Sequence, residues 1–328
     1  MTSPHDALFC QVFADPAHAA GELRAVLPPA IATSIDWATL RLLSPVDKDV
    51  SRGDRHVDLL FAAAIGDEDV LLQLLLEHKS YVDRFAAVQI GEYMFRVLRR
   101  YVRESPRARR LPPVLSIVVY HGRELWNGGD DLRSCFGLSP ETQRCLEPHL
   151  PQLRFFVDDL SLVRGEELAT RTLSALARLV LEVLRWASSP VDLASLLRRL
   201  AAEFRAARDA GGDVGLLAAV LTYLGKVRDR PRAEMQRLVR LELGPDVEEI
   251  MASTYEQTLN EGRAQGRAQG RVQGVAEGLA AALRTVLGSR FGNLDGAVVA
   301  RIAQAAVEDL ERWLRRAATV ERIEDVFA

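Results

Sequence analysis

Apolar residues along this chain follow two rhythms. Up to about Leu160, short and nearly continuous apolar runs alternate with helical spacing; from Arg164 onward only helical spacing recurs. Val57 to Ile65 is apolar apart from Asp58, and Val70 to Leu76 is apolar apart from Gln73. Gly66-Asp67-Glu68-Asp69 between them has turn composition, which predicts two buried strands joined as a hairpin. Asp58, Glu77 and Lys79 thus fall inside or at the end of strands with a buried pattern. A buried carboxylate is costly unless it is paired or binds a metal.

A turn over Gly66–Asp69 pairs Ile65 with Val70, so that partner numbers sum to 135. Asp58 and Glu77 then lie directly opposite one another, with Cβ atoms about 4.5–5.5 Å apart on one face. Lys79, two residues past Glu77, joins that face. Facing like charges destabilise a hairpin. A divalent cation between them removes the penalty, and hard cations such as Mg2+ favour carboxylate oxygens. A slip of one residue would turn the carboxylates to opposite faces.

The flanking pattern supplies the rest of a sheet. Pro4 to Leu27 predicts a helix stopped by Pro28-Pro29, with Leu8, Val12 and Phe13 on one face. Thr39 to Ser44 predicts a short strand, and Asp47-Lys48-Asp49 a polar loop. Ser80 to Val102 predicts a helix, Val114 to Tyr120 a strand, and Leu153 to Val157 a last strand. Asp158 and Asp159 read more simply as solvated strand-end residues than as one lying near the site, and His121 as a hydrogen-bonded structural residue rather than a base or ligand. Arg96, Arg99, Arg100 and Arg103 recur along the Ser80–Val102 helix and its end, followed by Arg107, Arg109 and Arg110. This cluster reads equally as a phosphate-neutralising surface or as a solvated face partnered by Glu92 and Glu104.

Beyond Arg164, helical periodicity runs through Leu168–Trp186, Val191–Phe204, Val214–Val227 and Met235–Leu243, with Pro190, Gly211-Gly212 and Pro231 between. Gly262, Gly266, Gly270, Gly274 and Gly278 then repeat every fourth residue. That period drifts by about 40° per repeat on a helix, so the glycines spiral and the stretch reads as a helical spacer. Leu310, Trp313 and Leu314 mark a small closing core or a self-association surface. The divisions expected are 1–162, 163–255, 256–280 and 281–328.

Composition narrows the function classes. A chain of 328 residues with 48% hydrophobic and 27% charged residues has an ordinary globular balance. A net charge of −3 excludes a wholly cationic nucleic-acid coat, so any such contact is a local patch. Cys10, Cys135 and Cys145 lack C-x-x-C spacing and read as reduced thiols of a cytoplasmic protein. No signal peptide and no apolar run of membrane-spanning length is expected.

At HVDLLF with Asp58 and LLLEHKS with Glu77-x-Lys79, the chain resembles the PD-(D/E)XK nuclease superfamily. Within it the chain is most similar to the bacterial recombination-promoting nucleases, also called YhgA-like or PD-(D/E)XK family transposases. PHDALFCQVF and LPPVLSIVVYHGRELW extend the likeness over roughly the first half of the chain. Val57 stands where the superfamily pattern has proline, and Lys79 is retained where relatives often carry Gln.

The resemblance implies a restriction-endonuclease-like α/β fold, a mixed sheet flanked by helices, followed by an all-helical C-terminal region. It implies a metal-dependent endonuclease acting on double-stranded DNA and promoting recombination or mobile-element activity. Asp58 and Glu77 would hold Mg2+, or Mn2+ or Ca2+ in its place, and Lys79 would orient the attacking water or stabilise the transition state. Asp6 on the first helix and Gln89 on the later one are lesser site candidates; Asp6 also fits an N-terminal dipole role. Two rival readings are a catalytically inactive nuclease fold kept for DNA or partner binding, and a structural ion pair in an unrelated fold. The C-terminal helices offer a route to a homo-oligomer.

Overall fold

The computed structural model describes residues 4–43, 59–77, 84–122, 124–187 and 189–327, with backbone alone at 69, 73–77 and 253–273. The chain begins with α1 (Pro4–Phe13), α2 (Pro16–Val26) and α3 (Pro29–Ala32), then strands β1 (Asp36–Leu42), β2 (Leu59–Ile65) and β3 (Glu68–Glu77). Helix α4 (Ala86–Glu104) leads to β4 (Val114–Tyr120); an excursion containing α5 (Pro140–Leu146) returns as β5 (Phe156–Asp159). Five helices follow: α6 (Gly165–Thr170), α7 (Ala175–Ala187), α8 (Leu193–Asp209), α9 (Val214–Val227) and α10 (Arg232–Glu242). The last are α11 (Pro245–Phe291), α12 (Gly296–Ala303), α13 (Val307–Ala317) and α14 (Ile323–Val326). Among the described residues, no helix is long and apolar enough to cross a membrane.

The strands form one sheet in the order β1-β2-β3-β4-β5. The β1–β2 and β2–β3 pairs are antiparallel, and the β3–β4 and β4–β5 pairs are parallel. This is the mixed α/β sheet expected, with helices on both faces. Leu59, Phe61, Ala63, Val70, Leu72, Ile117 and Val119 face the large core shared with α1, α2, α7 and α9. That core joins the sheet to the helices after Arg164, and both lie in the compact unit Met1–Thr254. Leu60, Ala62, Leu71 and Val118 face the other way, toward α4 residues Ala87, Ile90, Tyr93 and Val97. A sheet apolar on both faces must be covered on both, because each buried apolar side chain contributes roughly 1.5–3 kcal/mol.

Several predicted boundaries shift for identifiable reasons. The hairpin pairs Ile65 with Glu68 and Leu59 with Leu74, so partner numbers sum to 133 and the turn is Gly66-Asp67 alone. Gly66 adopts φ 59°, the positive value that a two-residue hairpin turn needs and that glycine takes without strain. The shift is two residues, which preserves the face of every side chain. The helix predicted over Pro4–Leu27 breaks at Asp15. The Asp15 carboxylate accepts from the Ala17 amide at 2.8 Å, and Pro16 opens α2.

The helix predicted through Leu168–Trp186 is likewise divided. Residues between α6 and α7 leave the helix so that Arg171 can turn inward, and the Ser174 hydroxyl then caps α7 by accepting from the Ala177 amide. Strand β1 lies earlier than Thr39–Ser44, and β5 later than Leu153–Val157. In place of the early β5 residues, Leu153 and Phe155 pack on the α4 side, and Arg154 bridges to Asp131.

Asp158 and Asp159 are not solvated strand ends: they are 6% and 8% exposed. The Arg171 guanidinium donates to both oxygens of Asp158 at 2.7 Å and to Glu22 Oε2 at 3.1 Å. Burial pushes the Glu22 carboxyl well above its usual range, and the neighbouring Asp158 adds to the shift. Burial alone would lower the Arg171 pKa, but its bonds to Asp158 and the charge of Glu22 hold it above its usual range. The triad ties α2 to the end of β5 and to the α6–α7 connection. Gly21 next to Glu22 is part of this joint, since a Cβ there would sit 2.5 Å from the Thr172 carbonyl oxygen.

The second unit, Tyr255–Ala328, has its own core. Leu283, Leu287, Ile302, Leu310, Trp313 and Val326 are buried in it, with Leu314 packed alongside. The Arg301 guanidinium lies 5.3 Å from the Trp313 ring and 4.9 Å from that of Phe327. The fourfold glycine repeat falls within α11, whose backbone is helical throughout.

Two outcomes follow for the buried triad. Arg171→Met leaves two buried carboxylates without their cation, and urea unfolding should show a loss of about 3–5 kcal/mol. Glu22 contributes stability while protonated, and that contribution falls as pH rises above its ordinary value of 4.5 toward the raised folded value. Glu22→Gln cannot titrate, so its urea midpoint should vary less with pH across that interval; parallel wild-type and variant profiles would contradict the assignment.

Candidate functional site

The candidate site lies at the carboxyl ends of the parallel strands, where open α/β sheets place ligands. Glu77 is the last residue of β3 and is paired with Tyr120 of β4. Tyr120 is in turn paired with Asp159 of β5. Glu77, Tyr120 and Asp159 therefore occupy one row across three strands. Tyr120 lies two residues after Val118 and shares its face, toward α4, as does its partner Asp159.

The rest of the row is held rigidly. Asp159 Oδ2 accepts from the Trp126 amide at 2.8 Å, and Oδ1 accepts from the Ser161 amide and hydroxyl at 2.9 and 2.6 Å. Its carboxylate organises the chain on either side of the strand end. Trp126 meets Tyr120 edge-on at 5.3 Å and Phe155 at 6.3 Å. Gly122 admits the Tyr120 ring, since an added Cβ would lie 1.8 Å from the Tyr120 hydroxyl oxygen.

On the opposite face of the same sheet edge sits the first turn of α1. The His5 ring lies 4.9 Å from that of His121, which directly follows Tyr120. His5 Nδ1 and the Tyr223 hydroxyl share a hydrogen bond of 2.6 Å, and burial pushes the Tyr223 phenol up. Asp6 is buried in this same first turn. His5, Glu22, Arg171 and Tyr223 were not singled out by sequence. The adjacency of His5 to Asp6 was the available signal; the partners of Glu22 and Tyr223 lie more than a hundred residues away along the chain.

The remaining candidates are placed as follows. Asp58 and Lys79 lie outside the described residues, as does the predicted loop Asp47–Asp49; Glu77 is described as backbone. Gln89 is half-buried on α4 and donates to the Tyr93 hydroxyl at 3.1 Å. Arg96 pairs with Glu92 and Arg100 with Glu104, each at 2.8 Å and each one helical turn apart. Arg99 and Arg103 are exposed. Arg96 also lies over the Tyr93 ring at 5.6 Å. Among the described residues, no cluster of three or more His, Cys, Asp or Glu side chains could hold a metal ion.

Curated relatives include the recombination-promoting nuclease RpnD of Escherichia coli O157:H7, 29% identical over 121 residues, which are 37% of this chain and 46% of the relative. Recombination-promoting nuclease RpnA of Escherichia coli K12 is 27% identical over 123 residues, 38% of this chain and 41% of the relative. The inactive recombination-promoting nuclease-like protein RpnE of the same strain is 26% identical over 121 residues, 37% of this chain and 40% of the relative. The chain thus spans less than half the length of the curated relatives it matches. No solved structure matches significantly. The model of the YhgA-like transposase family matches residues 3–212, which takes in the whole sheet and α1 to α8, and the chain belongs to that family.

Proposed function

We propose that the chain is a metal-dependent endonuclease of the PD-(D/E)XK type, acting on double-stranded DNA in the cytoplasm. The observation that carries the reading is the position of Glu77. It closes β3 at the carboxyl edge of the parallel strands, in register with the buried, hydrogen-bonded ends of β4 and β5. The names of the relatives RpnD and RpnA add recombination and nuclease activity to what that edge is proposed to do. Cys10, Cys135 and Cys145 form no disulfide, which fits a reducing compartment.

The proposal extends the alternation of β2 back by one residue. Leu60 and Ala62 face α4, and Asp58, two residues before Leu60, would share that face. If the 133 register continued through Asp58, it would stand diagonal to Glu77 instead of opposite, about 7–8 Å away between backbones and within reach of one ion. A divalent cation there would polarise the scissile phosphate and acidify a bound water. Lys79, two residues past Glu77, would orient that water and stabilise the negative charge that grows in the transition state. Gln89 on α4 would approach the same face, and Asp6 the opposite one. Arg96, Arg100 and Arg103 would neutralise phosphates along the duplex.

The rival reading is a catalytically inactive member that binds DNA or a partner. It is favoured by the similarity to RpnE, whose name describes an inactive protein. One assay separates the two. Purified protein should cut duplex DNA with Mg2+ or Mn2+ and stop in chelator. Glu77→Ala and Lys79→Ala should each lower cleavage on the order of a hundredfold or more. Protein that binds DNA and never cuts across several divalent metals supports the rival.

A second outcome concerns the arginines. Arg100→Gln with Arg103→Gln should weaken duplex binding and reduce the slope of log K against log salt by about 1.8. An unchanged slope would return these residues to a solvated helix face.

A further inference from the structure

Helix α4 carries a second apolar stripe that the sheet does not cover. Ala87, Ile90, Tyr93 and Val97 pack inward, as one amphipathic face requires. Val88, Phe95 and Val102 recur every seventh residue on another face and are 53%, 63% and 55% exposed. Glu92 and Arg99 fall between them. At 3.6 residues per turn these five positions lie within about 80° of arc. An exposed row of large apolar side chains on a soluble helix marks an interaction surface.

We propose that this face pairs with itself, forming a two-fold homodimer seam centred on Phe95. The argument is the symmetry of the pattern. Reading outward from Phe95, Val88 and Val102 lie about 10.5 Å to either side along the helix. Glu92 lies about 4.5 Å to one side and Arg99 about 6 Å to the other. The order apolar, acid, apolar, base, apolar therefore reads the same in both directions with its charges exchanged.

Two antiparallel copies related by an axis at Phe95 set that ring against its own copy. They set Val88 beside the second copy's Val102, and Glu92 beside the second copy's Arg99, twice. Glu92 and Arg99 leave the stripe on the same side, and a two-fold perpendicular to the helix keeps them on that side in both copies. Glu92 already accepts from Arg96 at 2.8 Å. A carboxylate has about four acceptor sites and takes both guanidinium groups. An unrelated partner has no need of such exchange symmetry, whereas an isologous interface demands it. The C-terminal unit is a weaker candidate for self-association, because Leu310 and Trp313 are buried in its own core.

Arg96, Arg100 and Arg103 lie about 80–140° around the helix from Phe95, on the side of the Glu92–Arg99 pairs. On the reading that α4 contacts DNA, the dimer presents both copies of this row in one direction. The seam itself does not rest on that reading, because its test reads mass and not cleavage.

The experiment is sedimentation velocity on the full chain at micromolar concentration. Wild type should run at twice 36.3 kDa. Phe95→Asp should run as a monomer with unchanged circular dichroism, since the side chain is outside the core. Glu92→Arg and Arg99→Glu should each weaken the dimer by placing like charges together twice, and the double exchange should restore it. A monomeric wild type, or a dimer that survives Phe95→Asp, would overturn the proposal. Failure of the double exchange to restore the dimer would overturn the assigned antiparallel pairing.

Discussion

Glu22, Asp158 and Arg171 are ionisable groups that water scarcely reaches, and they have to satisfy one another. Their side chains are 0%, 6% and 10% exposed. Arg171 grips Asp158 with two parallel hydrogen bonds and reaches Glu22 with a third. Such a cluster adds little net stability over an apolar one, but it permits only one arrangement of its parts. Those parts are α2, the end of β5 and the connection into α7. The helices after Arg164 are thereby fixed to the carboxyl edge of the sheet, where the proposed chemistry would occur. Their apolar residues share one core with β2, β3 and β4, so the region is part of the folded unit that positions the edge.

The two faces of that edge have different character. The face toward α1 is filled by His5, His121 and Tyr223, which are all buried. The face toward α4 carries Tyr120 and Asp159, and the backbone of Glu77 is paired with Tyr120 beside them. Asp159 accepts from the Trp126 amide and from the Ser161 amide and hydroxyl, and so shapes the edge. Rigid neighbours of this kind are what a metal or phosphate site needs, because ligands must be held before the charge arrives. The same helix that covers this face turns its arginines and the Val88–Phe95–Val102 row outward. Substrate contact and self-pairing are thus proposed for adjacent strips of one helix.

Much of this was legible in sequence because burial on both faces leaves continuous apolar runs. Val114–Tyr120 emerged with its observed limits, and the hairpin emerged as an antiparallel pair. Its register differed by two because turn composition cannot distinguish a four-residue loop from Gly66-Asp67 followed by a polar strand start. The capping pair Asp15-Pro16 was present in the sequence but was masked by the apolar periodicity on either side. Asp158 and Asp159 read as solvated because their partners, Arg171, Glu22 and the Trp126 amide, come from separate segments. The second stripe of α4 was not legible, since periodicity alone does not say which of two faces meets the sheet. For the candidate site, the structure supplies the backbone position of Glu77, while Asp58 and Lys79 lie outside the described residues.

The central claim is that Asp58 and Glu77 together bind one divalent cation at the carboxyl edge of β3. Calorimetric titration of Mn2+ into the full chain without DNA tests it without reference to cleavage. The account predicts one site per chain that is lost in both Asp58→Asn and Glu77→Gln and kept in Lys79→Ala, because lysine is not a ligand. Binding that persists unchanged in both carboxylate variants, or no binding in the wild type, would contradict it.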